Sequence, residues 1–168
     1  MDTDIVKLST DWAKAEVFSG KMVWLFSIFF LLGAVGFFYL GKTTMAKAFV
    51  WPLLVAGIFL LAVGAGLFFT NSARVTGFEI AYHQNPKAFV QREISRTDNS
   101  EKQLRFVFSM LSAIIIIAAL IIVALPDTPN WKAVAITLIV TVGFLMLVDS
   151  NTGARNAAYH SALSLSKP

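Results

Sequence analysis

Long apolar stretches alternate with polar ones along the chain. Four windows contain no Asp, Glu, Lys, Arg or His side chain: residues 22–40, 48–69, 106–125 and 133–148. The hydrocarbon core of a bilayer is roughly 30 Å thick and takes about 20 apolar residues to cross as a helix. Backbone polar groups in lipid must bond within their own element, and the unbroken apolarity of these windows differs from the alternation of barrel strands. The pattern therefore predicts an all-α integral membrane protein with four transmembrane helices.

The first 21 residues have the character of an amphipathic segment. Ile5, Leu8 and Trp12 recur at roughly helical spacing, with charged side chains between them. A helix of this kind lies along the membrane interface, where tryptophan is enriched. We expect an interfacial helix within residues 1–21, and the alternative is a frayed tail that leads into the first span.

Residues 71–105 form the sizeable polar stretch between the second and third spans. Within it, Asn85 followed by Pro86 is a helix-start signal, because asparagine caps helix N-termini and proline suits the first helical position. The sequence therefore predicts a loop that contains a short amphipathic helix, with Phe89 and Ile94 facing the membrane.

The composition agrees with a single membrane domain over residues 1–168. Hydrophobic residues make up 57% of the chain, charged residues only 14%, and the mean hydropathy is +0.69. The net charge is +4, but the basic residues lie beside the apolar windows, which indicates an orientation signal rather than nucleic-acid binding. The chain has no cysteine, so disulfides, thiolate catalysis and cysteine-ligated zinc are excluded.

Lysine and arginine are distributed unequally between the two sides of a four-span topology. Eleven of the fourteen fall in the terminal segments 1–21 and 149–168 and in segment 71–105, whereas three fall in the short turns on the opposite side. Cytoplasmic segments carry the excess of basic residues. Both termini are therefore expected in the cytoplasm, and short turns with this asymmetry are typical of a bacterial inner membrane protein.

Two stretches of sequence occur twice and indicate an internal repeat. Residues 40–48 and 125–133 align without a gap at an offset of 85 and share four identities in nine positions. The tripeptide Ala-Tyr-His occurs at 81–83, after the second span, and at 158–160, after the fourth. Two helical hairpins of the same orientation, related by an axis along the membrane normal, would produce this pattern. The alternative is chance resemblance, because the two histidines are separated by 77 residues rather than 85.

His83 and His160 are the candidates for metal binding. Glu79 lies four residues before His83 and shares a helix face with it if that stretch is helical, so two imidazoles and one carboxylate would make a three-ligand site. The interpretation we favour places both histidines, with Tyr82 and Tyr159, at headgroup level, where amphipathic rings accumulate. We expect no cofactor and treat the two tyrosines as interaction residues.

The membrane windows offer hydroxyls and small residues but no ionisable group. Proton relays and substrate paths normally need an ionisable side chain inside the bilayer, so these residues are interpreted as packing contacts between helices. The candidate packing or interaction residues are Ala62, Gly66, Ser109, Ser112, Thr137 and Thr141 within the windows, and Arg74 and Arg155 beyond them.

No phosphate-binding loop, dinucleotide fingerprint or metalloprotease motif occurs in the sequence. We expect a small non-catalytic four-helix membrane protein that acts as a binding, accessory or scaffold component. Its expected partners are membrane lipids and either further copies of itself or another membrane protein, with no nucleic acid. The alternative is an oligomeric channel lined by hydroxyls. A lesser alternative is a membrane enzyme or metal-binding protein that uses the Tyr-His pairs.

Overall fold

Long helices make up almost all of the described protein. The computed structural model describes residues 2–125 and 127–165, with side chains from Ile5 onward. The helices are α1 (Asp2–Leu40), α2 (Thr44–Ala48), α3 (Val50–Gln84), α4 (Pro86–Ala124) and α5 (Pro129–Leu165). Four stretches are long and apolar enough to cross a membrane: Ile5–Leu40, Thr44–Gln84, Pro86–Ala124 and Pro129–Leu165. The predicted all-α class and the four long apolar helices are confirmed, and they fit an integral membrane protein.

The start of α4 follows the predicted capping signal. The Asn85 side chain accepts a hydrogen bond from the backbone N–H of Ala88 at 3.0 Å, and Pro86 occupies the first turn. Capping satisfies one of the free N–H groups at a helix start, and proline has no N–H to leave free. One residue, Asn85, therefore separates the end of α3 from the start of α4.

The polar stretch 71–105 is helical rather than a loop with a short helix. Residues up to Gln84 continue α3 and residues from Pro86 begin α4, so the stretch forms two helical extensions that meet at Asn85. In the same way, the N-terminal residues are continuous with the first span within α1. The bundle thus extends well beyond the apolar windows at one end.

Apolar side chains of these extensions pack together instead of facing a membrane surface. Trp12 is 7% exposed and Phe89 is 3% exposed. The contacts come from all four long helices, and we call this group the end cluster: Ile5, Trp12, Ala13, Phe78, Tyr82, Phe89, Val90, Tyr159 and Leu163. The expected membrane-facing positions of Trp12 and Phe89 are therefore corrected, because an amphipathic face can be buried against neighbouring helices as well as in lipid.

α1 and α3 run antiparallel and meet at a crossing of small residues. A Cβ atom added to Gly64 would lie 2.5 Å from Cδ1 of Trp24 and 3.1 Å from the carbonyl oxygen of Gly20. Further along the pair, the Ser27 hydroxyl donates to the Gly57 carbonyl at 2.7 Å. Glycine at these positions lets the two backbones approach closely, which is how helices associate in lipid.

The predicted packing residues Ala62 and Gly66 lie on a different face of α3. Ala62 is exposed, and a Cβ atom added to Gly66 would meet nothing within 4 Å. These two residues do not take part in helix packing within the chain. The face that meets α1 is provided instead by Gly57 and Gly64, whose spacing of seven residues also places them on one side of α3.

The four long helices form two closely packed pairs. α1 packs mainly on α3 and α4 mainly on α5, with sparser contacts between the pairs. One of those contacts is the stacking of Phe26 in α1 on Phe144 in α5, whose ring centroids are 3.9 Å apart. Sparser contact between the pairs leaves space between them, both at membrane depth and at the polar end.

Candidate functional site: a polar chamber at one end of the bundle

A cavity of about 260 Å³ lies between the four long helices, next to the end cluster. Each of these helices contributes polar side chains to its wall, among them Glu16 of α1, Arg74 of α3, Arg96 of α4 and Asn156 of α5. Apolar residues, including Leu67, also line it. We call this cavity the polar chamber.

A buried ion pair joins α1 to α5 at the edge of the polar chamber. The Glu16 side chain is 3% exposed, and its Oε1 accepts from Arg155 Nε at 2.9 Å. Its Oε2 accepts from the Thr152 hydroxyl at 3.0 Å, and Arg155 also donates to Ser19 at 2.8 Å. Both carboxylate oxygens therefore have donors, as a buried charge requires.

A second buried carboxylate connects α4 to α5 and α1. Glu93 accepts two-pronged hydrogen bonds from Arg96, the shortest at 2.8 Å, and a further one from the Tyr159 hydroxyl at 3.1 Å. The same hydroxyl lies 2.8 Å from Ser9 Oγ. Burial, followed by the charge of Glu93, raises the pKa of Tyr159, so this phenol keeps its proton and acts as a donor.

Trp12 lies between these polar groups and the chamber. Its ring stacks on Tyr159 with centroids 5.5 Å apart, and the Arg96 guanidinium lies 4.0 Å from its ring centroid. Cation–π contact of this kind favours the charged guanidinium. The indole Nε1 is buried and has no hydrogen-bond partner among the described residues. Trp12 thus contributes its ring to the chamber wall, while its indole N–H is enclosed by the protein.

Arg74 is the cation of the chamber without an acidic partner. It is half-buried and donates to the Asn71 side chain at 2.8 Å, while no acidic side chain in residues 5–125 or 127–165 forms an ion pair with it. Burial lowers the pKa of Arg74 and the neighbouring charge of Arg96 lowers it further, whereas the charges of Glu93 and Glu16 act in the opposite direction. An arginine stays protonated in proteins, so this guanidinium is a positive charge with free donors.

Asp149 is the acidic counterpart of Arg74, because it also lacks a partner of opposite charge among the described residues. It is half-buried in the chamber wall and forms no ion pair with any described cation. Burial raises the pKa of Asp149, and the negative charge of Glu16 adds to the effect. Asn156, 4% exposed, also lines the chamber, and its Oδ1 is without a hydrogen-bond partner in the described chain. The chamber therefore has an acidic side chain without an ion-pair partner in the described part of the chain, as well as a basic one.

Replacing Asp149 by Asn is expected to stabilise the unliganded protein at neutral pH. Because the folded state favours the neutral carboxyl and raises its pKa above the ordinary 3.8, the charged form opposes folding at high pH. This penalty disappears as the pH falls through the folded pKa toward 3.8, so the advantage of Asp149→Asn should shrink at acidic pH. Unfolding midpoints in lipid-free detergent from about pH 4 to about pH 8 measure the difference. A variant less stable than the unmutated protein at pH 7 would contradict the prediction.

The tyrosines of the two Tyr-His pairs come together in the structure, but the histidines do not. Tyr82 and Tyr159 both belong to the end cluster, whereas the histidines have separate surroundings. His83 is exposed beside Glu79, in a surface cavity that is also lined by lysines, and His160 Nε2 lies 3.1 Å from Asp98 Oδ1. Among the described residues, no group of three or more His, Asp or Glu side chains is placed to hold a metal ion.

Two of the four hydroxyls predicted as packing residues bond their own helix. Ser112 donates to the Phe108 carbonyl at 2.9 Å, and Thr141 donates to the Thr137 carbonyl at 2.7 Å. The Thr137 hydroxyl itself is buried without a partner in the described chain, and Ser109 is exposed. Back-bonding to the preceding turn is common for Ser and Thr in helices.

Several residues of the site were not identified from the sequence. Arg74, Arg155 and Tyr159 are among the candidates from the sequence, but Glu16, Glu93 and Arg96 are not. One local signal was available, because Glu93 and Arg96 are three residues apart, a spacing that pairs side chains on a helix. No such signal exists for Glu16 and Arg155, which lie 139 residues apart.

Comparison of the chain with protein-family models, with curated proteins and with solved structures found no match.

Proposed function

We propose that this is a non-catalytic membrane protein that acts by binding, and that the polar chamber holds an anionic group of its ligand. The observation that carries the proposal is Arg74, a half-buried guanidinium that has an amide partner but no acidic one among the described residues. A partly desolvated charge is unfavourable until an opposite charge or further hydrogen bonds compensate it. An anion in the chamber would supply both.

The groups around Arg74 support an anion rather than another ligand chemistry. Arg96 adds a second guanidinium to the wall, although two of its nitrogens already donate to Glu93. Guanidinium groups bind phosphate and carboxylate oxygens with paired, charge-assisted hydrogen bonds. The donor set of this wall therefore suits an oxyanion.

Binding rather than catalysis is favoured by the state of the two buried carboxylates. Glu16 is held by Arg155 and Thr152, and Glu93 by Arg96 and Tyr159. A general base must be able to reach the proton that it removes. Glu16 and Glu93 already accept hydrogen bonds from the protein's own side chains, so they hold the helices around the chamber together rather than act as bases.

The chamber belongs at the level of the lipid headgroups. Its apolar wall residues Leu67, Val107 and Val148 lie at the ends of three of the apolar windows, and its charged residues lie outside the windows on the same side. The asymmetry of lysine and arginine supports a bacterial inner membrane location with both termini and the chamber on the cytoplasmic side. Membrane lipids are then the ligands within reach.

A duplicated hairpin is part of the same proposal. The bounds of α1, shifted by 85 residues, fall within one residue of those of α4. At matching positions, the Lys47 N–H donates to the Thr43 carbonyl and the Lys132 N–H to the Thr128 carbonyl, both at 3.1 Å. These likenesses support two copies related by an axis along the membrane normal, with the chamber between them.

Arg74→Gln is expected to weaken phospholipid binding about tenfold to a hundredfold, because a charge-assisted hydrogen bond contributes roughly 1.5–3 kcal/mol. Native mass spectrometry of the full chain, titrated with phosphatidylglycerol, measures the affinity. Arg92→Gln is the matched control, since Arg92 is exposed on α4 and, among the described residues, bonds only to the Ala88 carbonyl. Diacylglycerol, which lacks the phosphate, should bind weakly to every variant. Equal phosphatidylglycerol affinities for Arg74→Gln and Arg92→Gln, in variants with unchanged helix content, would refute the proposed site.

A further inference from the structure

We infer that the ligand is an aminophospholipid of the phosphatidylethanolamine type, with its phosphate at Arg74, its ammonium at Asp149 and one acyl chain in an adjoining apolar cleft. This inference rests on the proposed function and adds the class of lipid to it. Two features carry it: the two unpaired opposite charges in the chamber and the cleft.

The charges of the chamber complement a zwitterion. Arg74 on α3 and Asp149 on α5 line the same cavity of about 260 Å³, yet they do not form an ion pair with each other. A ligand that carries only an anion would satisfy Arg74 and leave Asp149 unpaired, and a cation alone would do the reverse. A headgroup with a phosphate and an ammonium two carbons apart gives each side chain its opposite charge.

The hydrogen-bonding atoms distinguish a primary ammonium from a choline group. A primary ammonium has three donors, which the Asp149 carboxylate can accept, whereas a trimethylammonium has none. Choline is usually bound on open aromatic faces. The aromatic ring of this chamber, Trp12, already has Arg96 4.0 Å and Arg74 5.8 Å from its centroid, and these cations would repel choline. The chamber therefore favours ethanolamine over choline.

The acyl chain has a cleft at membrane depth. A cavity of about 570 Å³ opens between α3, α4 and α5, and nearly all of its lining is apolar, as with Val55, Leu111 and Leu145. On α5 the cleft residue Leu145 is three positions from the chamber residue Val148, and on α4 Met110 is three positions from Val107. Three residues are about 4.5 Å along a helix. A lipid with its headgroup in the chamber is thus positioned to lay a chain along the cleft.

The surrounding bilayer also favours a lipid acyl chain as the occupant of the cleft. Water is excluded from the hydrocarbon region, so an open apolar cleft between helices at that depth is filled by lipid chains. The headgroup chamber then selects which lipid stays. Selection by headgroup and filling by an acyl chain are separate contributions, and each can be removed without the other.

Native mass spectrometry of the full chain, titrated with phosphatidylethanolamine, phosphatidylglycerol and phosphatidylcholine of identical acyl chains, tests the inference. The unmutated protein should bind phosphatidylethanolamine about tenfold more tightly than the other two. Asp149→Asn should abolish that preference and keep phosphatidylglycerol binding, whereas Asp127→Asn, in an exposed turn far from the chamber, should change neither. Val55→Trp should reduce binding of all three lipids by filling the cleft, and Val35→Trp, exposed on α1 outside the cleft, should not.

The outcomes separate the inference from the proposed function. Equal binding of the three lipids, or a preference that survives Asp149→Asn, overturns the headgroup assignment while the Arg74 dependence of binding still stands. Unchanged binding by Val55→Trp overturns the placement of the acyl chain. Loss of the Arg74 dependence overturns the proposed function together with the inference.

Discussion

Gly64→Val should destabilise the bundle by about 2–4 kcal/mol, because overpacking and the loss of an interhelical hydrogen bond act together. A Cβ atom at this position would lie 2.5 Å from Trp24 Cδ1 and 3.0 Å from Trp24 Nε1. The indole donates to the Leu61 carbonyl at 3.1 Å and cannot keep that bond if it moves aside. Behind it, the Gly20 carbonyl oxygen is 3.1 Å away and belongs to the backbone of α1. The helices must therefore separate at their crossing.

Gly66→Val is the matched control for this prediction. It introduces the same side chain two residues further along α3, where an added Cβ meets nothing within 4 Å. Unfolding in mixed micelles with increasing dodecyl sulfate, followed by circular dichroism, compares the two variants. Similar losses for both would mean that valine disturbs α3 in itself, and that the α1–α3 crossing is not the tight contact described.

Arg155→Met should cost about 3–5 kcal/mol, the usual effect of leaving a buried charge without its partner. Glu16, 3% exposed, would keep only the hydroxyl of Thr152. The double variant Glu16→Gln/Arg155→Met removes the uncompensated charge, so it should recover a large part of the loss. Arg105→Met is the control, since its ion pair with Glu101 is solvent-exposed on both sides and should contribute less than about 1 kcal/mol.

The same unfolding assay decides this prediction. A double variant that is less stable than Arg155→Met alone would show that the side-chain shapes, rather than the charges, hold α1 to α5.

The four long helices could be predicted because the requirement for them is local. Each apolar window contains within its own sequence the length and composition that lipid demands, and the Asn85-Pro86 start depends only on neighbouring residues. Burial partners are a property of the assembled bundle. Trp12 illustrates this. An apolar ring with a polar edge is compatible with the membrane surface and with the end cluster, so the sequence does not distinguish the two positions.

The polar chamber could be predicted only in part for the same reason. Arg74, Arg155 and Tyr159 stood out because they follow the ends of spans in a repeated pattern. Their partners come from distant parts of the chain: Glu16 is 139 residues from Arg155, and Glu93 is 66 residues from Tyr159. Charged residues in polar stretches usually face water, so their burial follows from how the helices extend past the membrane and close over one another.

Solid-state NMR of the protein in phosphatidylethanolamine liposomes, with nitrogen-15 in the arginine side chains, tests directly whether a lipid phosphate lies on Arg74. Dipolar recoupling between lipid phosphorus-31 and guanidinium nitrogen-15 should show a contact in the unmutated protein. That contact should disappear in Arg74→Gln and remain in Arg92→Gln. A phosphorus–nitrogen contact that Arg74→Gln leaves at full strength would contradict the assignment of the polar chamber as the binding site.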